Sequence, residues 1–348
     1  MSKHRIISGD PDDQRDDQIA ATLRPQQLDQ YVGQSALVER LTIALRAAQQ
    51  RNESMEHVLL HGPPGLGKTS LAFVIANEMG AHLTVTSGPA LTRPADLVGL
   101  LTKLQHRDVL FIDEIHRLPI ALEEYLYSAM EDYRIEFTVD SGMHAKTITL
   151  PVQPFCLIGA TTRAGGISGP MRARFGIVHH LTYYHQHELL TILRRSASLL
   201  DITTADDSAL STIADRSRGT PRVANRLLRR ARDYAQIKRD GSFDTQSVND
   251  ALKLEGVDEI GLDEIDRQYL RTIAEIYRGG PVGLDTIAAT LSEDPGTLED
   301  MVEPFLLQIG FLARTRRGRQ LTPRAADHLG VTIDPPPDPD NNLFNDQQ

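Results

Sequence analysis

Cysteine is nearly absent from this 348-residue chain: Cys156 stands alone. One thiol excludes a disulfide framework and any cysteine-built zinc site. Within the apolar run Phe155-Cys156-Leu157-Ile158 it reads as a small buried hydrophobe. No run of about 20 apolar residues occurs, which excludes a membrane-spanning helix. An excess of positive charge is missing too. Lys and Arg number 37 against 47 Asp and Glu, a formal net charge of −10. A passive nucleic-acid coat, basic overall, is therefore disfavoured, and any DNA contact has to come from a restricted patch. The N-terminal stretch MSKHRIISGDPDDQRDDQ is polar and acidic where a signal peptide needs an apolar centre, so a cytoplasmic location is expected. Among the 12 histidines, His179-His180 and His185-Gln186-His187 have no carboxylate or cysteine partner at ligand spacing. They read as solvated loop residues.

The length accommodates two or three domains. Residues 1–19 form a non-periodic acidic arm and 333–348 a Pro-interrupted acidic tail, both expected to be disordered. Over 20–184 short apolar runs alternate with helical patterns. Val58-Leu59-Leu60, Val109-Leu110-Phe111-Ile112 and Cys156-Leu157-Ile158 predict strands buried on both faces, hence a parallel sheet covered by helices. A helix is predicted over 69–79, with Leu71, Ile75 and Met79 on one face and Gly80 as its stop. Residues 185–255 read as helical only, with helices opening at Leu189, at Thr220-Pro221 (Thr as N-cap, Pro at the first position) and at Asp244. Residues 256–332 read as helices over about 263–277, 284–291 and 297–308, then a strand, tight turn and strand over 311–321. That is a winged-helix pattern, and Pro304 predicts a kink or break in its third helix.

Gly62-Pro63-Pro64-Gly65-Leu66-Gly67-Lys68-Thr69 follows the first strand and opens the 69–79 helix. In that context it is a P-loop. Its glycines let main-chain N–H groups converge on phosphates at a helix N-terminus, Lys68 supplies a cation and the Thr69 hydroxyl a ligand for Mg²⁺. Asp113-Glu114 ends the second apolar strand, where Asp113 can hold Mg²⁺ through water and Glu114 can polarise an attacking water. His116, close behind, is equally compatible with a helix start. Gly159-Ala160-Thr161-Thr162 ends the third strand, where a hydroxyl can orient that water or simply satisfy the strand end. Met171-Arg172-Ala173-Arg174-Phe175 holds two arginines, which spacing leaves open between an arginine finger and a surface pair. Arg222 sits in a first helical turn, against the helix dipole, a local conflict that hints at function. Arg226, Arg229, Arg230 and Arg232 read as a solvated or interdomain face. Arg314, Arg316, Arg317 and Arg319 make a basic patch on the predicted wing of an otherwise acidic region, suited to DNA phosphates.

Leu23-Arg24-Pro25, Tyr31-Val32-Gly33-Gln34, LFIDEIHRL (110–118), GATTRAG (159–165), RARFGIV (172–178), RGTPRVANRLLRRARD (218–233) and FLARTRRGR (311–319) together closely resemble the RuvB family, AAA+ motors of bacterial Holliday-junction branch migration. The resemblance runs from about 20 to 330. It implies an α/β fold: an AAA+ P-loop NTPase domain with a parallel sheet (20–184), a small helical lid (185–255) and a C-terminal winged helix (256–332). It also implies an ATP hydrolase using Mg²⁺, a homohexameric ring on duplex DNA, and action with RuvA, and with RuvC when junctions are resolved. Leu23, Arg24 and Tyr184 would border the adenine, and Gly65, Lys68, Thr69 and Ser70 would hold phosphates and Mg²⁺. Asp113 and Glu114 would be the Walker B pair, Thr162 the first sensor, Arg174 the finger acting in trans and Arg222 the second sensor. Glu131-Asp132-Tyr133 would lie close to a neighbour's nucleotide, and Arg314 and Arg319 would contact DNA.

Three segments depart from the family pattern. Thr138 to Lys146 replaces the usual hairpin sequence that docks RuvA, Arg316 replaces a proline between the wing arginines, and Pro295-Gly296 stands where the family often has an arginine. A clamp loader is a poorer match, lacking here both zinc cysteines and a Ser-Arg-Cys finger. Retention of Lys68, Asp113, Glu114 and Arg174 argues against a hydrolysis-dead DNA-binding adaptor.

Overall fold

The computed structural model describes residues 22–139, 146–202 and 205–332. The expected arm (1–19), the acidic tail (333–348) and the centre of the 138–146 segment lie outside the described residues. The chain divides into two compact units between Asn249 and Asp250.

In the first unit, α1 (Ser35–Arg51) buries Leu37, Leu41, Leu45 and Ala48, a one-face spacing. β1 (Val58–His61) runs into the glycine loop, and α2 (Lys68–Met79) leaves it, stopping at Gly80 in the left-handed conformation. Next come β2 (Leu83–Ser87), α3 (Pro94–Leu101), β3 (Val109–Asp113) and α4 (Ile120–Glu131). A hairpin of β4 (Arg134–Val139) and β5 (Lys146–Pro151) precedes β6 (Cys156–Thr161), α5 (Gly169–Ala173) and β7 (Ile177–His180). Among the described residues a parallel sheet of five strands has the order β2-β3-β6-β1-β7. Its middle strands β3, β6 and β1 are buried nearly throughout, as their unbroken apolar runs require. Cys156 is buried, its thiol pKa pushed up to about 12 by that burial.

The edge strands β2 and β7 are only half-buried, so their mixed sequences Leu-Thr-Val-Thr-Ser and Ile-Val-His-His give no apolar run to read. His179 and His180 therefore lie on a strand instead of a loop. His180 stacks on His61 at 4.8 Å, and no cluster among the described residues suits a metal ion.

The strand order places the chemistry. β6 lies between β1 and β3, with His61 in register with Thr161 and Ile112 with Gly159. The segments leaving β1, β6 and β3 therefore emerge side by side at the C-terminal end of the sheet: P-loop, Thr161-Thr162 and Asp113-Glu114.

The helical segment contains α6 (Gln186–Leu199), α7 (Asp207–Asp215), α8 (Pro221–Lys238) and α9 (Thr245–Leu254). Asp244 caps α9 as expected, accepting from Ser247 N–H at 2.7 Å. Thr220 precedes α8 with Pro221 at its first turn, but its hydroxyl donates to Ser217 O at 3.1 Å and caps nothing. The missing N–H of Pro221 leaves one fewer orphan donor to satisfy there.

In the second unit, α10 (Glu264–Arg271) continues into a π-helical turn over Thr272–Ile276, and α11 (Leu284–Leu291) follows. The third helix breaks as Pro304 requires: a π-helical turn, Leu298–Val302, precedes α12 (Glu303–Gln308). β8 (Leu312–Thr315) and β9 (Gly318–Leu321) form the wing, and α13 (Pro323–Leu329), not anticipated from the sequence, closes the chain onto the core of Tyr269, Ile273, Leu306 and Leu321.

Glu303 is 0% exposed, at the break before Pro304. Its carboxylate accepts from Arg319 Nε at 2.8 Å, from Tyr269 Oη at 2.6 Å and from Arg314. Burial raises its pKa, but these donors more than offset that and hold it below the ordinary value. The stabilisation is thus present above the usual glutamate pKa of about 4.3 and is lost as pH falls through the lower native value. Glu303→Ala removes the buried acceptor of the Tyr269 phenol and of Arg319 Nε, and leaves Glu299, 3.7 and 4.0 Å from Arg314 and Arg319, as their remaining carboxylate. It should destabilise this unit by about 3–5 kcal/mol, read from hydrogen exchange at the Tyr269 and Leu270 amides. A change below about 1 kcal/mol would contradict this role.

Candidate nucleotide-binding and hydrolysis site

The loop leaving β1 adopts backbone that side chains resist. Gly67 has φ +93°, and a Cβ there would stand 3.0 Å from Tyr31 Oη; at Gly62 it would meet Leu181 O at 2.6 Å. Close approach of the loop to its surroundings thus depends on glycine. Lys68 begins α2 and is buried, its Nζ donating to Gly62 O at 2.7 Å and Pro63 O at 2.8 Å. Its pKa is brought down to about 8, with burial the largest cause and Arg222 adding to it, while Asp113 and Glu114 act in the opposite direction.

A cavity of about 670 Å³ opens over this loop. Gly65, Lys68, Thr69 and Ser70 line one side of it, with Asp113, Glu114 and Thr162 beside them. Asp113 Oδ1 accepts the N–H of Glu114 at 2.9 Å. Glu114 itself has φ +47°, and its carboxylate pairs with Arg117 at 3.0 Å. Thr161 and Thr162, inseparable in the sequence, part here. The buried Thr161 hydroxyl bonds His116 Nδ1 at 2.8 Å and accepts from Arg163 N–H at 2.9 Å, leaving Thr162 to line the cavity. His116 sits in a single 3₁₀ turn, Ile115–Arg117, and ties that turn to β6.

The opposite wall comes from residues 23–32 and the helical segment. Leu23, Arg24 and Tyr184 line it as expected, Arg24 lying over the Phe73 ring at 4.9 Å. Tyr184 Oη is 3.1 Å from Tyr31 Oη and 3.2 Å from Leu66 O, beneath the P-loop. Burial pushes the Tyr184 phenol up to about 12, so it remains a neutral donor. The first turn of α8 closes the cavity, Arg222 N–H donating to Gly65 O at 3.4 Å. Arg226 and Arg229, read as a solvated or interdomain face, line this same cavity one and two turns further along α8. Tyr31, Ile192, Arg195 and Asn225 also line it and were not anticipated. The spacing of 222, 226 and 229 on one helical face was the available signal.

The remaining candidates lie elsewhere. Arg174 pairs with Glu131 at 3.0 Å, donates to Pro170 O at 2.8 Å and lies over the Tyr127 ring at 4.4 Å. Its side chain keeps 21% exposure. Asp132 pairs with Arg134 at 3.3 Å, and Tyr133 is exposed at the end of α4. None of Glu131, Asp132, Tyr133 and Arg174 lines the cavity, and Arg172 donates to Ala164 O. Arg314 and Arg319 belong to the second unit, where both are held by Glu303 and exposed by 43% and 19%.

A phosphate-pairing role for the Lys68 ammonium predicts that nucleotide affinity is level below about pH 7.5 and weakens as pH rises through about 8. Equilibrium titrations of the intact protein between about pH 7 and pH 9.5 test this. An affinity unchanged across that range would contradict the lowered Lys68 pKa.

Three family descriptions match in succession: the Holliday junction DNA helicase RuvB P-loop domain over residues 23–181, the RuvB AAA lid domain over 184–258 and the RuvB C-terminal winged helix domain over 259–330. The Holliday junction branch migration complex subunit RuvB of Limosilactobacillus reuteri is 54% identical over 328 residues, spanning 94% of this chain and 97% of that protein. Its counterpart in Lactococcus lactis subsp. lactis is 53% identical over 312 residues, 90% of this chain and 93% of that protein. The solved Thermotoga maritima RuvB Holliday junction branch migration motor superposes with a TM-score of 0.82 at 48% identity, covering 90% of this chain and 100% of that one. With a P-loop, an acidic pair and a threonine gathered at the C-terminal end of the sheet under a helical lid, this chain belongs to the RuvB family of AAA+ P-loop ATPases.

Proposed function

We propose that this protein is an ATP-driven motor for branch migration of Holliday junctions, working in the cytoplasm as a homohexameric ring on duplex DNA with RuvA, and with RuvC during resolution. The observation that carries this reading is a division of the chemistry. Lys68, Asp113, Glu114, Thr162 and Arg222 converge on one cavity, while Arg174 and Glu131 are paired outside it. A site so divided is completed by a second copy.

In this reading Leu23, Arg24 and Tyr184 flank the adenine, and Gly65, Lys68 and Ser70 receive the phosphates. Thr69 and Asp113 suit Mg²⁺, a cation that takes few protein ligands and keeps waters and phosphate oxygens; the described residues offer no fuller cage. When bound, Mg²⁺ neutralises charge developing on the phosphoryl oxygens. Glu114 polarises the attacking water, for which its carboxylate must leave Arg117. Thr162 orients that water from β6, and Arg222 reads the nucleotide from the lid. Arg174, with Glu131, Asp132 and Tyr133 near it, acts on the nucleotide of the neighbouring subunit. The ATPase core spans 20–184, the lid 185–255 and the winged helix 256–332. On the wing, Arg314 and Arg319 contact DNA with the exposed Arg316 and Arg317 at the turn between them.

Arg174→Ala should lower ATP turnover by about 10³–10⁵ while leaving nucleotide affinity unchanged, and should abolish ATP-dependent migration of a synthetic four-way junction. Near wild-type turnover in the purified variant would remove Arg174 from the mechanism.

A further inference from the structure

Two adjacent arginines on α6 behave differently. Arg194 is exposed and forms an ordinary ion pair with Asp207 at 2.7 Å. Arg195 turns inward, lines the nucleotide cavity with Ile192 one turn before it, and donates to two main-chain carbonyls. Nη1 reaches Gln30 O at 2.7 Å and Nη2 reaches Leu23 O at 3.0 Å, while Nε is buried without a hydrogen-bond partner among the described residues. Burial lowers its pKa. A half-buried guanidinium bonded to neutral carbonyls costs more desolvation than a surface ion pair, so its placement calls for a reason.

The two carbonyls bracket the segment 23–30, the adenine-side wall. The same segment is fixed on its other side to α2, the helix that begins with Lys68. Leu28 N–H donates to Glu78 Oε1 at 2.8 Å, Asn77 Nδ2 donates to Gln26 O at 3.1 Å, and Arg24 lies over Phe73. The wall thus bridges the P-loop helix and the first helix of the lid. Arg195 is a fork whose two arms reach its two ends, a geometry lysine cannot reproduce.

We propose that Arg195 is a positioning residue that ties the adenine wall to the lid, so that the base pocket and the lid assemble as one body. The proposal rests on the nucleotide reading of the cavity and deepens it. Phosphate recognition belongs to the P-loop and does not need this tie; base recognition does. Without the fork the wall stays on α2 but loses its link to α6.

The test compares two probes on the full-length protein with Mg²⁺: ATP, and inorganic tripolyphosphate, which has no base. Arg195→Ala should weaken ATP about tenfold, the effect of losing charge-assisted hydrogen bonds, and leave tripolyphosphate within about twofold. In steady-state turnover KM should rise with kcat largely kept. Arg195→Lys, which retains the charge and one arm, should fall between wild type and Arg195→Ala, and it carries the test if the alanine variant does not fold. Unchanged ATP affinity in both variants overturns the proposal, as does equal weakening of both probes. Failure of the wild-type protein to bind either probe would instead overturn the nucleotide reading itself.

Discussion

Burying the Lys68 ammonium is the demand around which the catalytic unit is arranged. The cation sits at the start of α2, received by the carbonyls of Gly62 and Pro63, with desolvation pulling its pKa down. A charge in that position is poised for a polyanion, since phosphate oxygens offer what neutral carbonyls cannot. Holding it there takes a strand buried on both faces, a loop turned by glycine at positive φ and a helix pointing its N-terminus into the cavity. Sheet order then brings the other groups within reach. Because β6 separates β1 from β3, Thr162 emerges between the P-loop and the Asp113-Glu114 pair, and the lid meets the P-loop through the Arg222 N–H on Gly65 O.

Two carboxylates of this unit are tied to arginines in different ways. Glu114 is paired with Arg117 in the next turn, an exposed contact that water and ions weaken and that is readily exchanged. Glu131 is paired with Arg174, which is also stacked on Tyr127 and bonded to Pro170 O, so the guanidinium is held at a defined place while keeping an open edge. Preorganisation of this kind suits the proposed action in trans, because little side-chain entropy is left to lose. On the winged helix, Glu303 does for Arg314 and Arg319 what Glu131 does for Arg174, with the difference that this carboxylate is wholly buried.

Much of this was legible in the sequence where local chemistry dictates it. The P-loop, the acidic pair after an apolar strand, the Gly80 stop, the Asp244 cap and the break at Pro304 each follow from a few adjacent residues in one local context. What escaped depends on partners distant along the chain. Nothing local says that His116 takes the Thr161 hydroxyl and leaves Thr162 free, or that Thr220 turns back to Ser217. The strands β2 and β7 are only half-buried and so lack an apolar run. For Arg226 and Arg229 the sequence left a solvated and an interdomain face open, and the cavity between the P-loop and α8 selects the second, while Glu303 reads as one more acidic residue of a helix until its neighbours on α10 and the wing are in place.

The central claim is that one catalytic site is built from two copies of this chain, and a mixing experiment tests it most directly. Glu114→Gln keeps Arg174 but loses the group that polarises water, whereas Arg174→Ala keeps the whole cavity and loses the finger. Each alone should be nearly inactive. Mixed in equal amounts, they should recover ATP turnover, because an Arg174→Ala subunit beside a Glu114→Gln neighbour has every group of an intact site. If the mixture turns over ATP no faster than the separate variants, although the two are shown to assemble together, the site is not shared in this way.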